Sequence, residues 1–133
     1  MQFVFNSTPE AKARPRMGKY GVYDPKAVIR KKYESDAKEQ VASNGVLIPL
    51  ECAIGLDMTI YVPIPKNTPK SALKSIIGKP AIKRPDIDNY LKFYMDIFQN
   101  SLYADDKYVT DVYMRKRYAE EGGVIINTKK VKE

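Results

Sequence analysis

Apolar residues recur along this chain with two different periods, and the switches between them mark out six elements. Gln2-Phe3-Val4-Phe5 is short and apolar and predicts a first strand. Residues 9–25 keep no period. Pro9, Pro15, Gly18, Gly21 and Pro25 punctuate them, so a loop is expected. Asp24-Pro25 then supplies a capping residue and a proline at the first helical position. Ile29, Tyr33, Ala37 and Val41 follow at four-residue intervals and Asn44-Gly45 gives a stop, which predicts an amphipathic helix.

From Leu50 the period changes to two. Leu50, Cys52, Ile54, Leu56, Met58, Ile60 and Val62 alternate with Glu51, Ala53, Gly55, Asp57, Thr59 and Tyr61, a long strand with one buried face and a bend at Gly55. Pro63, Pro65 and Pro69 end it, and Ser71 to Ile77 read as a helical turn before Gly78 and Pro80. A second helix is predicted over residues 87–100. Tyr108–Tyr118 and Val124–Lys129 are strand-like, and Glu120-Glu121-Gly122-Gly123 between them predicts a hairpin. The order β-α-β-α-β-β, without repeats or a domain boundary, predicts one α+β domain over residues 1–133, a small mixed sheet packed by two main helices.

Composition narrows the class. A hydrophobic content of 44% with 29% charged residues excludes wholesale disorder. The net charge of +7 favours a polyanionic partner, although a basic scaffold protein has the same balance. The lone Cys52 cannot form an intrachain disulfide and falls within the strand alternation as a small core residue. There is no histidine, which removes the commonest general base and any histidine-based metal site. Without a signal-peptide pattern or an apolar run of spanning length, a cytoplasmic protein with no membrane partner is expected.

Charge is not spread evenly. Pro63 to Arg84 carry Lys66, Lys70, Lys74, Lys79, Lys83 and Arg84 and no acid. The next segment reads Arg84-Pro85-Asp86-Ile87-Asp88-Asn89, and Asp96, Asp105 and Asp106 follow. Asp86 and Asp88 stand at a predicted helix start, where one carboxylate suffices as a cap. Two carboxylates about 4 Å apart repel by roughly 4 kcal/mol at an effective dielectric of 20, which a shared cation relieves. Hard oxygen ligands without His or thiolate select Mg²⁺, with Mn²⁺ as a substitute. Local pattern leaves metal binding and capping both open. Asp88, Lys92 and Asp96 recur along one helix face, either as helix salt bridges or with the lysine aimed into an acidic site. The helix is also apolar on two sides, through Ile87, Leu91, Tyr94 and Phe98 and through Tyr90, Phe93 and Ile97. Its outer stripe is expected to meet a second subunit.

These residues resemble a known family. Arg84-Pro85-Asp86-Ile87-Asp88-Asn89, Lys92 one turn on, Asp105-Asp106 beyond the helix and the early Lys12-Ala13-Arg14-Pro15-Arg16 loop are similar to the RusA-type Holliday junction resolvases. The resemblance implies a RusA-like fold and a homodimeric, Mg²⁺-dependent endodeoxyribonuclease that nicks paired strands of branched, four-way DNA, with no small-molecule cofactor. It places the metal-binding carboxylates on Asp86, Asp88 and Asp106 and the essential lysine on Lys92, all four catalytic, with Asp105 a possible additional acid. Gln99 to Ala104 lack the glycine that family members often carry there. Phage DNA processing and recombinational repair both remain open as the setting.

The basic segments supply the binding term. Lys12, Arg14, Arg16, Lys19, Lys83 and Arg84 are the DNA-binding candidates, with salt-dependent affinity expected from phosphate neutralisation. The three arginines rank first because guanidinium groups suit phosphate recognition. Tyr20 and Tyr23 read either as stacking groups for exposed bases or as packing residues. Two rivals stand beside this reading. Pro85-Asp86 with Asp105-Asp106-Lys107 satisfies the PD…DxK skeleton of another nuclease class, acting on other branched or duplex DNA, which wants both carboxylates on neighbouring strands and gives Lys107 the catalytic role. The other is a non-catalytic DNA-binding protein whose acids are caps and surface charge.

Overall fold

A computed structural model describes residues 1–133. The chain runs β1 (Gln2–Phe5), β2 (Arg16–Gly18), β3 (Gly21–Tyr23), α1 (Ala27–Ser43), β4 (Ile54–Pro63), α2 (Lys70–Ile76), α3 (Ile87–Ile97), a 3₁₀ turn at Asp106–Tyr108, β5 (Val109–Ala119) and β6 (Gly123–Lys130). Four strands make one mixed sheet in the order β1-β6-β4-β5. In it β4 runs parallel to β5 and antiparallel to β6. β2 and β3 pair only with each other.

The strongest apolar alternation takes a central place. Leu56, Met58, Ile60 and Val62 of β4 are buried beneath the helices, while Asp57, Thr59 and Tyr61 point to the opposite, uncovered face. Phe3 and Phe5 of β1 and Val124 and Ile126 of β6 extend the same core. α3 lies on this surface, its Tyr94 ring 5.6 Å from Phe5 and the ring of Phe98, the residue that caps its C-terminal end, 4.9 Å from Phe3. α1 closes the layer through Tyr33, whose ring meets Phe93 edge-on at 5.3 Å and Phe5 at 5.5 Å. Each such fully buried side chain contributes about 1.5–3 kcal/mol. No helix is long and apolar enough to cross a membrane.

The α+β class and the alternating strand are as the sequence predicts, and several details differ. β5 and β6 do not form a hairpin with each other, because β4 is inserted between them. The Glu120–Gly123 turn therefore spans a strand's width, and β5, with no buried residue, is left at the sheet edge. Residues 9–25 are not all loop, since the β2–β3 hairpin projects from them. The first helix begins at Ala27, with the Asp24 side chain accepting from the Lys26 N–H at 2.9 Å. The second helix ends at Ile97, and a tight turn follows. Both of its apolar stripes are largely absorbed within one chain: Tyr90, Phe93, Tyr94, Ile97 and Phe98 are buried, Leu91 is half-buried, and only Ile87 is exposed. The outer stripe thus needs no second subunit to cover it.

Candidate active site

Asp86 occupies the N-cap position of α3 but its side chain caps nothing. The free N–H groups of Asn89 and Tyr90 are met instead by the Asp86 main-chain carbonyl, at 3.1 and 3.4 Å. Asp88, in the first turn, makes only one ionic contact, to Lys92 one turn on at 4.0 Å, and these side chains are 64% and 60% exposed. Helix capping is therefore not what these two carboxylates do. Their charge is held at one helix end without a hydrogen-bonded partner.

The early loop walls this end of the helix. The Lys12 N–H donates to the Asn89 carbonyl at 2.9 Å, fixing residues 12–15 against the first turn of α3. Lys12, Ala13, Arg14 and Pro15 on one side and Asp86, Asp88, Asn89 and Lys92 on the other enclose an open cleft of about 500 Å³. Arg16 and Lys19 lie farther out on the exposed β2–β3 hairpin, and Lys83 and Arg84 are exposed just before Asp86. Asp96 pairs with Lys12, not with Lys92, at 2.9 Å. Of the two helix-face pairings, only Asp88 with Lys92 forms, and Asp96 turns instead to the early loop.

Asp105 and Asp106 lie elsewhere. The turn after α3 is tied back to it by Ser101 and Leu102 N–H groups donating to the Phe98 carbonyl, at 3.1 and 3.0 Å. Asn100 adopts φ 66°, the left-handed conformation that a glycine would otherwise supply. Ser101, Leu102 and Tyr103 are buried, so the chain re-emerges beside the C-terminal end of α3. There Asp106 faces Asp105 and Asp96: partial desolvation, then its hydrogen bond and repulsion with Asp105 and repulsion from Asp96, raise its pKa. The Lys107 N–H, donating at 2.9 Å, holds Asp105 below the usual carboxylate range. Eight residues of helix, about 12 Å of rise, separate Asp88 from Asp96. Within one chain no three carboxylates lie close enough to share a metal ion. Asp86 and Asp88 come together with Lys92, and Asp106 does not join them.

Neither Asp86 nor Asp105 is on a strand, so the neighbouring-strand arrangement wanted by the PD…DxK skeleton is not met. One residue that sequence reasoning missed is Lys116 of β5, whose ammonium donates to the Lys83 and Pro85 carbonyls at 2.7 and 2.9 Å. It ties the segment carrying Arg84 and Asp86 to the sheet. No local pattern marks it, because the contact spans more than thirty residues and depends on Gly78, Lys79 and Ala81 pairing alongside β5.

Residues 6–129 match the family model described as endodeoxyribonuclease RusA. The chain is also 29% identical over 140 residues to a Bacillus subtilis (strain 168) protein called "Uncharacterized protein YqaN", an alignment covering 98% of this chain and 96% of that protein.

Proposed function

The chain belongs to the RusA family, endodeoxyribonucleases that act on Holliday junctions by hydrolysing phosphodiester bonds, and we propose that it makes paired nicks in four-way DNA as a cytoplasmic, Mg²⁺-dependent homodimer. The observation that carries the reading is the uncommitted pair Asp86 and Asp88, facing a basic loop across an open cleft. Two exposed carboxylates are hard oxygen donors and fit Mg²⁺ or Mn²⁺. When bound, the cation would supply Lewis-acid charge to the scissile phosphate and lower the pKa of water. Lys92 offsets charge developing on the phosphate, and Arg14, Arg84 and Lys12 orient the strand through its phosphate oxygens. Arg16, Lys19 and Lys83 extend that contact.

The separation of Asp106 from Asp88 is itself an argument for two copies. The outer edge of β5 is covered at Lys116 and Tyr118 by residues 78–81 and is open from Val109 to Arg115. Since Lys116 and Tyr118 present their main-chain groups outward, alternation turns those of Val112 and Met114 the same way. Antiparallel pairing of two such edges runs the 3₁₀ turn of each copy toward residues 81–86 of the other. Asp106 then joins the acidic end of the partner's α3, and two sites result in two-fold register for paired cuts.

The test is incubation with a synthetic four-way junction and a matched linear duplex, with and without Mg²⁺. Metal-dependent cleavage of the junction alone is expected, and equal cleavage of both would overturn the junction specificity. Mixing inactive Asp88→Asn and Asp106→Asn proteins should restore nicking of one strand, because a mixed dimer holds one intact composite site. Two inactive proteins that stay inactive when mixed would place all the carboxylates of a site in one chain.

A further inference from the structure

The β2–β3 hairpin presents apolar and aromatic side chains that the fold does not bury. Every residue from Arg14 to Tyr23 is exposed, including Met17 at 79%, Tyr20 at 95% and Val22 at 69%. Met17 and Val22 stand directly opposite each other on one face of the ribbon, and Tyr20 sits at the two-residue tip. The other face is stiffened from within. The Tyr23 ring lies over Gly18, where an added Cβ would meet it at 3.0 Å, and Gly21 holds φ +111°. An isolated two-stranded hairpin is marginally stable in water, so a ribbon that turns its apolar face outward is suited to meeting a partner that orders it.

Charge and position identify the occupant. Residues 11–23 contain Lys12, Arg14, Arg16 and Lys19 and no acid, so a second copy of the same hairpin would be repelled and a polyanion attracted. The Lys19 ammonium lies 5.7 Å from the Tyr20 ring centroid, which places a phosphate-binding cation beside the aromatic surface. The ribbon begins at the residue after Pro15, which lines the cleft holding Asp86 and Asp88. Stacked bases in a linear duplex offer no face to Tyr20, and unstacking them costs a few kcal/mol. At a branch point the stack is already interrupted. We infer that the β2–β3 hairpin is a wedge whose Tyr20 and Met17 stack on the bases flanking the crossover of branched DNA, so that selection for junction over duplex resides there and not in the acidic cleft.

This inference rests on the proposed junction-cutting activity, and the experiment separates the two. A four-way junction with 2-aminopurine beside the crossover and a matched duplex are titrated with wild type, Tyr20→Ala, Met17→Ser and Tyr20→Phe in the absence of Mg²⁺. Wild type and Tyr20→Phe should raise the fluorescence of the junction and not of the duplex. Tyr20→Ala and Met17→Ser should lose the rise and about tenfold in junction affinity, with duplex affinity unchanged. Unchanged junction affinity in Tyr20→Ala, or equal losses on junction and duplex, would overturn the wedge. A fall in the protein's mass in solution on Tyr20→Ala would assign the hairpin to a second copy, and loss of binding to anionic phospholipid vesicles in that variant would assign it to a membrane surface. Either result also overturns the wedge. If wild type cuts the junction while Tyr20→Ala is indistinguishable from it, only the wedge falls. If wild type shows no preference for the junction at all, the proposed function falls first and takes the wedge with it.

Discussion

The two ends of α3 hold similar numbers of carboxylates and use them in opposite ways. At the N-terminal end Asp86 and Asp88 have no hydrogen-bonded partner in the fold and face a cleft walled by cations. At the C-terminal end Asp105 is bonded to the Lys107 N–H, Asp96 is paired with Lys12, and Asp106 is crowded by both acids. Acids near a helix N-terminus are favoured by the macrodipole, and acids near its C-terminus are not. The helix therefore carries one acidic end that is electrostatically settled and free of hydrogen-bonded partners, and one where Asp96 and Asp105 are committed within the chain while Asp106 is left crowded by like charge.

The sharpest way to break this contrast is to neutralise one acid at each end. Asp88→Asn should lower the rate of junction nicking by more than about a hundredfold, beyond the loss of a supporting partner, while junction binding in a gel-shift assay is retained. Asp96→Asn should leave nicking within a few-fold of wild type. Comparable losses in both would erase the distinction. The lysines give a second comparison of somewhat smaller size. Lys92→Ala should slow nicking by about a hundredfold in single-turnover assays, whereas Lys107→Ala, whose side chain lies over Tyr108 at 5.3 Å, should be close to wild type. Loss confined to Lys107→Ala would restore the PD…DxK reading.

How far the sequence foretells this arrangement depends on whether the information is local. Asp86, Asp88 and Lys92 fall on one end of one helix, so their spacing placed them side by side, and the family resemblance was needed to read them as a site. The β4 alternation was equally legible, because each buried residue from Ile54 to Val62 alternates with a more accessible one beyond Gly55. The neighbour of β6 was not legible. Glu120-Glu121-Gly122-Gly123 specifies a reversal, but pairing is decided by which strand fills the centre, and β5 lacks the buried face that β4 has. The position of Asp106 was hidden for a related reason. One left-handed residue, Asn100, sets the direction in which the chain leaves α3, and nothing in the acidic pair itself records that.

Two smaller effects sharpen the contrast from the side of stability. Tyr94 of α3 and Tyr103 in the turn after it are buried, and burial above all raises both hydroxyls well above the ordinary value of 10.0. The folded chain then keeps protons that the unfolded chain releases. Stability is full below pH 10 and falls as pH rises beyond it, by up to about 1.4 kcal/mol per pH unit for each group. Tyr103→Phe should cost about 1 kcal/mol at pH 8 through the lost bond to the Met95 carbonyl, and the gap to wild type in urea melts should narrow by pH 11. Asp106 has its folded pKa raised above the value of 3.8, so its charge opposes folding at neutral pH and the opposition fades as pH falls through that range. Asp106→Asn should slightly raise Tm at pH 7 and leave it unchanged at pH 3. A lower Tm at pH 7 would mean that the crowding described for this end is relieved in solution.

The order β1-β6-β4-β5 has a consequence in time. β1 finds its partner only when residues 124–127 of β6 have been made, and the Met1 ammonium closes on the Thr128 carbonyl at 2.9 Å. Until β6 arrives, Phe3 and Phe5 have no neighbouring strand and the floor beneath α3 is missing its Val124 and Ile126. A chain emerging from the ribosome thus carries its acidic helix end for some forty residues of synthesis with that floor incomplete. The floor beneath the acidic helix is completed only by the last strand of the sheet to be synthesised.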